Sequence, residues 1–284
     1  MADGSGVPDD LAFPQAWTDV ARHPAAVAAT RRFAANMLRL CDEDPRLCAV
    51  FKDAGRYIAA MSAAYLHNAG GLTVPLLKQI CAGSGFLSPG RARAIIEFLR
   101  HIDYLRPEDE AARSPRYLPT ERFLSAWRGH LQAALDAAAM IEPALGTLSA
   151  RLDRPQDFEA FLAIQAGRLH ALTQGPDPFP GLRRAFLHPY AGSQILWVLI
   201  SVGDGAADLR LPLSETASRF EVTHLHVRRL LKQADEEGLI VYHGHGRVSI
   251  APSGKRMIEL FYAFQLSELI EVGREMQAQE TSAA

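Results

Sequence analysis

The stretch Val222-Thr223-His224-Leu225-His226-Val227-Arg228-Arg229-Leu230-Leu231-Lys232 decides the predicted fold of the second half of the chain. Its apolar residues follow the i, i+3, i+4, i+7 spacing that places side chains in one stripe of a helix. That stripe consists of Val227, Leu230, Leu231 and Ala234. Thr223 precedes it, where a hydroxyl oxygen can accept hydrogen bonds from the first backbone N–H groups of a helix. The stretch therefore predicts a Thr-capped helix that reaches about residue 237 and has one buried side.

The opposite face of this helix carries hydrogen-bond donors that can reach phosphates or base edges. Its outward residues are His226, Arg228, Arg229, Lys232 and Gln233. A short helix opening at Pro212 precedes it, and strands at 239–242 and 247–250 follow it around the turn His243-Gly244-His245-Gly246. Helix, turn, capped helix and two-stranded wing describe a winged helix-turn-helix, in which the capped recognition helix enters the DNA major groove.

The chain contains a second copy of this pattern, earlier by about 135 residues. Ile95-Ile96 aligns with Leu230-Leu231 at an offset of 230 minus 95, or 135. Leu72-Thr73-Val74-Pro75-Leu76 aligns with Leu209-Arg210-Leu211-Pro212-Leu213 after a slip of two residues. Matches in constant order with short slips indicate duplication. The predicted modules span residues 11–150 and 156–280, and residues 1–10 are expected to be disordered.

Each copy is predicted to hold a leading helix, a proline-bearing connector, an apolar helix, a short helix, a capped helix, a wing and a closing helix. In the first copy the leading, apolar and closing helices are expected at 25–40, 54–67 and 121–141. In the second copy they are expected at 158–172, 191–202 and 253–279. The fold class is therefore mainly α with two small β-wings, arranged as tandem winged helix-turn-helix modules.

The first copy is expected to be the weaker DNA reader. Its cap is Ser88, and its outward cations are interrupted by Glu97, an acid that a DNA-binding face disfavours. These outward residues are Arg91, Arg93, Arg100 and His101. Its wing adds arginines and acids together: Arg106, Arg113, Arg116, Glu108, Asp109 and Glu110.

The second copy, continued through Gly238-Leu239-Ile240 and Ala251-Pro252-Ser253-Gly254, resembles the MarR-type family of bacterial transcription regulators. That family's pattern is a Ser/Thr-capped recognition helix, Gly-Leu-Val, a wing and a Leu-Thr-Glu-Ala-Gly-like turn. The resemblance covers about 60 residues of the second half and, more weakly, the first half, where Pro89-Gly90 depart from it. It implies DNA contact by the outward residues of both capped helices and by the wing arginines. The family also implies dimers with paired terminal helices, and many members respond to small aromatic ligands or to thiol oxidation.

Pattern and resemblance together give one set of expected DNA-binding residues. The set is Ser88, Arg91, Arg93, Arg113, Arg116, Thr223, His224, His226, Arg228, Arg229, Lys232 and Arg247. Since the closing helices of both copies recur at a similar offset, one chain is also expected to form an internal pseudo-dimer.

Composition sets limits on the function. Thirty basic and 32 acidic residues give a net charge of -2, so a polyanion must be met by local patches. Only four of the basic residues are lysines, and 30 minus 4 leaves 26 arginines, whose planar fork suits phosphates and guanine edges. The 48% apolar and 22% charged residues are typical of globular proteins. The chain lacks an apolar run long enough to span a membrane and a recognisable signal peptide, so a soluble cytoplasmic protein is expected.

Other constellations point to no further chemistry. The His224/His226 pair cannot share a metal ion on a helix, and His243 and His245 are expected to be exposed wing residues. Cys41 and Cys48 are expected to be ordinary, partly buried thiols, with redox sensing as a minor alternative. Nucleophile, phosphate-loop, zinc-protease and Cys-x-x-Cys motifs are missing from the sequence, so neither an enzyme nor a cofactor is expected. The aromatic residues Phe13, Trp17, Trp127 and Trp197 are expected in the core or at an interface rather than in a ligand cage.

The expected function is a sequence-specific regulator of transcription that binds double-stranded DNA. Two alternatives remain open: a replication-initiator-like DNA-binding protein, and a protein-interaction scaffold that has lost DNA binding. The first would be expected to carry a more basic charge balance. The sequence leaves open a small-molecule effector and a homodimer.

Overall fold

The computed structural model describes residues 13–84, 89–172, 176–203 and 209–283. Within these ranges the chain is mainly helical, with two small antiparallel sheets. The coarse fold class expected from the sequence is therefore confirmed. Ser88 and the N-terminal segment 1–10, for which disorder is predicted, lie outside the described residues.

The first half contains eight α-helices and two strands among its described residues. They are α1 (Gln15–Arg22), α2 (Ala26–Glu43), α3 (Pro45–Phe51), α4 (Ala54–Leu66), α5 (Val74–Ser84), α6 (Ala92–His101), β1 (Leu105–Pro107), β2 (Tyr117–Pro119), α7 (Glu121–Ala138) and α8 (Ala144–Arg151). Short 3-10 turns at His67–Ala69 and Pro89–Arg91 precede the regions of α5 and α6.

The second half repeats the same order from its leading helix onward. Its elements are α9 (Pro155–Leu172), α10 (Pro180–Leu182), α11 (Gly192–Val202), β3 (Leu209–Arg210), α12 (Leu213–Arg219), α13 (His224–Glu236), β4 (Ile240–Gly244), β5 (Arg247–Ile250) and α14 (Pro252–Ala283). A π-helical segment, Arg183–Leu187, continues α10.

The connector predicted after the leading helix is helical in part in both halves: α3 lies within it in the first half, and α10 with the segment Arg183–Leu187 lies within it in the second. Pro45 takes the first helical position, where its missing N–H leaves no bond unmade. The Asp44 carboxylate accepts hydrogen bonds from the N–H groups of Arg46 (2.8 Å) and Leu47 (3.2 Å). A proline and an acid that suggest a connector thus form the start of a helix.

Strand pairing recurs between the halves. In the second half the strand order is β3-β5-β4, and Leu209 pairs with Val248. In the first half β1 pairs with β2, and Leu72 makes an isolated antiparallel bridge to Tyr117. Leu72 and Leu209 are separated by 209 minus 72, or 137 residues, the offset found in the sequence. The repeat therefore extends to backbone pairing.

The helices of the two halves pack on one another reciprocally. The leading helix α2 packs on α11 of the other half, and the leading helix α9 packs on α4. The closing helices α7 and α14 contact each other. One hydrophobic cluster includes residues of both predicted modules, from Trp17 to Met276. Reciprocal contacts of this kind are typical of a two-fold interface between identical subunits.

Gly254, in the first turn of α14, lies close to the backbone of Leu239, which connects α13 to β4. A Cβ atom at this position would overlap the backbone carbonyl of Leu239. We expect Gly254→Ala to lower the free energy of unfolding by about 3 kcal/mol, because backbone must move to relieve the overlap. Gly129→Ala is the control, since open space surrounds Gly129 within α7 and alanine favours a helix by about 1 kcal/mol.

Urea unfolding followed by circular dichroism measures both glycine variants. A Gly254→Ala variant as stable as the parent would show that the close approach of α14 to Leu239 is not required.

His130 is buried within an aromatic cluster of the first half. Its Nε2 atom lies 3.3 Å from the hydroxyl of Tyr57, and its ring packs near Phe51 and Trp127. Burial disfavours the charged imidazolium and lowers the pKa of His130 to about 4. The unfolded chain, in which a histidine pKa is about 6.5, therefore binds a proton that the folded chain does not bind.

This difference makes stability depend on pH. We expect His130 to remove about 3 kcal/mol of stability as the pH falls from about 6.5 to about 4, because the unfolded state takes up the proton first. Above about pH 6.5 the residue is neutral in both states and contributes no pH dependence. Urea unfolding across this range should show a shallower decline for His130→Gln, and equal declines for both proteins would refute the assignment.

Candidate nucleic-acid interface

Helix α13 has the cap and the buried stripe that the sequence predicts. The Thr223 Oγ1 atom accepts a hydrogen bond of 3.1 Å from the N–H of His226. The four stripe residues Val227, Leu230, Leu231 and Ala234 are all buried. Gly238, with a φ of 68°, turns the chain out of the helix toward β4. The opposite side of α13 therefore faces solvent.

That solvent-facing side presents three adjacent cations. Arg228, Arg229 and Lys232 are exposed. Among the described residues they make no ion pair or side-chain hydrogen bond. His224 and Leu225 are exposed at the start of the same helix, and the side chain of Leu225 can reach an apolar group. The cationic groups are thus available to a ligand such as a phosphate or a base edge.

Two other residues that are predicted to face outward make hydrogen bonds within the protein. His226 is half-buried, and its Nε2 atom lies 2.7 Å from the backbone oxygen of Tyr190, to which it donates as the Nε2–H tautomer. Gln233 is half-buried and donates to Glu237 at 3.2 Å. His226, which is predicted to contact DNA, thus also holds α13 against the start of α11.

The wing beside α13 places two arginines side by side. Arg247 on β5 is paired in register with Arg210 on β3, and both are exposed. Like charges directly opposite each other destabilise a sheet, whereas an anion between them relieves the repulsion. Sequence reasoning found Arg247 but missed Arg210, since only the register of β3 with β5 brings the two together.

The wing tip is exposed, as expected for its histidines. His243 and His245 are both exposed, and His243 Nε2 lies 2.8 Å from the hydroxyl of Ser249. Across the described ranges, no group of three or more His, Cys, Asp or Glu side chains is placed to hold a metal ion.

Helix α6 of the first half also has a buried stripe, but its cations are largely paired. Arg91 donates to Asp53 Oδ2 at 2.7 Å, and Arg100 donates to Glu97 at 3.0 Å. Arg93 is exposed and has no ion pair among the described residues. Arg91 is therefore exposed, as expected for an outward residue, but it is already paired with the buried carboxylate of Asp53.

The first wing carries mixed charge. Arg113 and Arg116 are exposed, as are the three acids of the same wing. An open cavity of about 400 Å³ lies between this wing and α6. Its lining contains acids and bases together: Glu97, Arg100, His101, Leu105, Arg106, Pro107 and Glu110. The first half thus offers a less uniformly cationic surface than α13.

Contacts at the start of α6 and α13 are equivalent. Arg91 and His226 are 135 residues apart (226 minus 91), and their partners Asp53 and Tyr190 are 137 apart (190 minus 53). Each partner precedes an apolar helix, α4 or α11. Both helices therefore begin against the same kind of turn in each half.

The remaining candidates are parts of the core. Trp17, Trp127 and Trp197 are buried as expected, and Phe13 stacks on Phe179 with ring centroids 5.9 Å apart. Cys41 and Cys48 are buried free thiols. The pKa of Cys41 is raised, first by a hydrogen bond between the two thiols and second by burial. The same hydrogen bond lowers the pKa of Cys48.

Comparisons with known proteins do not assign the chain to a family. No protein-family model, curated protein or solved structure matches it significantly. Within the described residues, no single helix has the length and apolar character to cross a membrane, although the pair Pro180–Leu187 and Gly192–Val202, bent by 100°, passes on length and composition together.

Proposed function

We propose that the chain is a sequence-specific regulator of transcription that binds double-stranded DNA through two tandem winged helix-turn-helix units. The observation that carries this proposal is the outward face of α13. Three neighbouring cations, Arg228, Arg229 and Lys232, are exposed and make no ion pair among the described residues. Adjacent like charges repel one another, and phosphates or guanine edges relieve that repulsion.

The surroundings of α13 support a recognition helix. Helix α12 precedes it by a short turn, and the β3-β5-β4 sheet follows it directly. An α-helix fits the major groove of B-DNA, where arginine and lysine donate to the O6 and N7 atoms of guanine. The paired Arg210 and Arg247 of the wing would then contact the DNA backbone beside the groove.

The packing of the two halves supports an internal pseudo-dimer. Helix α2 contacts α11, α9 contacts α4, and α7 contacts α14, the reciprocal pattern expected of two subunits joined by a two-fold axis. One chain would therefore present both α6 and α13 to a single duplex and favour an imperfect palindrome. Because α6 has paired cations, its half-site would contribute less affinity.

This arrangement agrees with the MarR-type resemblance of the sequence, in which paired terminal helices carry two DNA-binding units. Such a regulator would act in the cytoplasm. The tandem copy would replace the second subunit of a dimer, so a homodimer is not needed for two half-sites.

Selection from a pool of random duplexes tests the proposal. The full chain should enrich one family of sequences, and an electrophoretic shift should favour a selected duplex over a shuffled one. The absence of any enrichment would refute DNA recognition and favour the interaction scaffold. Genome-wide mapping then separates a transcription regulator, bound at promoters, from a replication initiator, bound at an origin.

A further inference from the structure

Two adjacent residues of the first half hold the beginnings of both α6 and α13. Asp53 Oδ2 accepts a hydrogen bond of 2.7 Å from Arg91, the residue before α6. Lys52 Nζ donates a hydrogen bond of 2.7 Å to Glu221, two residues before the cap of α13. Lys52 and Asp53 are themselves buried, at 4% and 9% exposure. We call these two residues the clamp.

The clamp is fixed by further bonds at its own position. The Lys52 backbone oxygen accepts a hydrogen bond of 2.8 Å from the N–H of Ala191, at the start of α11. Asp53 also caps α4 by accepting from the N–H of Arg56 at 3.1 Å. The clamp therefore sits in the seam between the halves, and it cannot shift without breaking bonds to both.

The burial of Lys52 makes its ion pair conditional on the position of α13. The side chain of Lys52 is 3% exposed, whereas that of Glu221 is 83% exposed. A buried ammonium is costly unless a partner neutralises it. Any movement that carries Glu221 and the start of α13 away from the seam leaves that charge unpaired. The folded protein therefore resists such a movement.

The clamp occurs in one half only. At the offset of 137, Lys52 and Asp53 correspond to Pro189 (52 plus 137) and Tyr190 (53 plus 137). Neither can form an ion pair of this kind, although the Tyr190 backbone oxygen binds His226. A dimer of identical subunits would carry the clamp twice. In this chain a single clamp contacts both halves.

We propose that the clamp fixes the distance between α6 and α13 and thereby sets the spacing of the two DNA half-sites that one chain accepts. The first part concerns the protein alone, whereas the second part rests on the proposed function. Lys52 and Asp53 act as positioning residues, since both are buried behind the residues that they hold.

A distance measurement without DNA tests the first part. Spin labels are attached at Ala94→Cys on α6 and Leu225→Cys on α13, both exposed positions, in a chain that carries Cys81→Ser. Pulsed electron resonance should give one narrow distance for this chain. Lys52→Met with Asp53→Asn should broaden or shift this distance, because both ion pairs of the clamp are lost. The variant should still fold, since methionine fills the buried site of Lys52 and asparagine still caps α4.

The control for the distance measurement is Arg32→Gln. It removes an ion pair to Asp136 within the first half, remote in the chain from the starts of α6 and α13, and should leave the distance unchanged. Circular dichroism checks that each variant is folded. An unchanged, narrow distance in the folded clamp variant would overturn the proposal.

A spacing series tests the second part. The selected half-sites are placed at the preferred separation and at separations one and two base pairs longer or shorter. The parent chain should lose roughly 100-fold in affinity away from the preferred separation, because both halves can no longer bind at once. The clamp variant should lose less than about tenfold, while its affinity for an isolated α13 half-site stays that of the parent.

The two proposals fail in different ways. Equal spacing dependence in the parent and the clamp variant would overturn the spacing claim while leaving DNA binding intact. If the parent binds no duplex at all, the proposed function and the spacing claim both fall, and the distance between the labels still decides whether the clamp positions α6 and α13.

Discussion

Replacing Arg228 and Arg229 together by alanine should lower the affinity for a selected duplex by about 2 to 6 kcal/mol if both arginines contact bases. If both contact phosphates instead, the slope of log affinity against log salt should fall by about two. The expected loss is large because both side chains are exposed and make no ion pair among the described residues, which leaves them available to DNA. A salt titration on one mapped site measures both quantities.

Two matched variants make that result specific. Arg31→Ala with Arg32→Ala removes the same charge from adjacent arginines that already bond to Gly203 O and Asp136 of the same chain, so it should leave DNA affinity near that of the parent. Arg91→Ala with Arg93→Ala should lose less than the α13 variant, because Asp53 already neutralises Arg91. A larger loss from the α6 variant, or no loss from either variant, would show that α13 is not the main recognition helix.

Removing Glu221 should destabilise the protein much more than removing its partner. Glu221→Ala leaves the ammonium of Lys52 buried and unpaired, which we expect to cost about 3 kcal/mol of unfolding free energy. Lys52→Met leaves a carboxylate that is 83% exposed and remains solvated, so its cost should be near zero. Urea unfolding at neutral pH measures both variants.

The double variant completes this test. In the Lys52→Met background, Glu221→Ala should cost less than about 1 kcal/mol, because the buried charge that made the glutamate necessary is gone. Equal costs for Glu221→Ala with and without Lys52 would mean that the glutamate stabilises the start of α13 by itself and not by neutralising Lys52.

The elements around α13 could be predicted because their signals are local. The apolar stripe of α13 repeats at the helical period, and Thr223 lies in the position from which a hydroxyl caps the helix. The turn at His243–Gly246 separates two strands by a short glycine-bearing tip, a pattern that determines a hairpin through nearby residues alone. The internal repeat added the elements of the first half by analogy.

The partners of the candidate site could not be predicted, because long-range packing chooses them. Arg91 and Asp53 are separated by 38 residues, and His226 and Tyr190 by 36. Nothing in the spacing of an outward-facing arginine or histidine tells whether a backbone turn of another element lies against it. The position of Arg210 beside Arg247 could not be predicted either, because it depends on the register of β3 with β5. Sequence patterns thus identified the exposed cations of α13 but not which other cations were already paired.

Binding of two half-sites by one chain requires α6 and α13 to lie on the same duplex. A hydroxyl-radical footprint of the full chain on its selected site measures this. We expect two protected stretches on one face of the DNA, about one helical turn or 10 base pairs apart, with stronger protection at the half-site of α13. Protection of a single half-site per chain, or of no defined position, would contradict it.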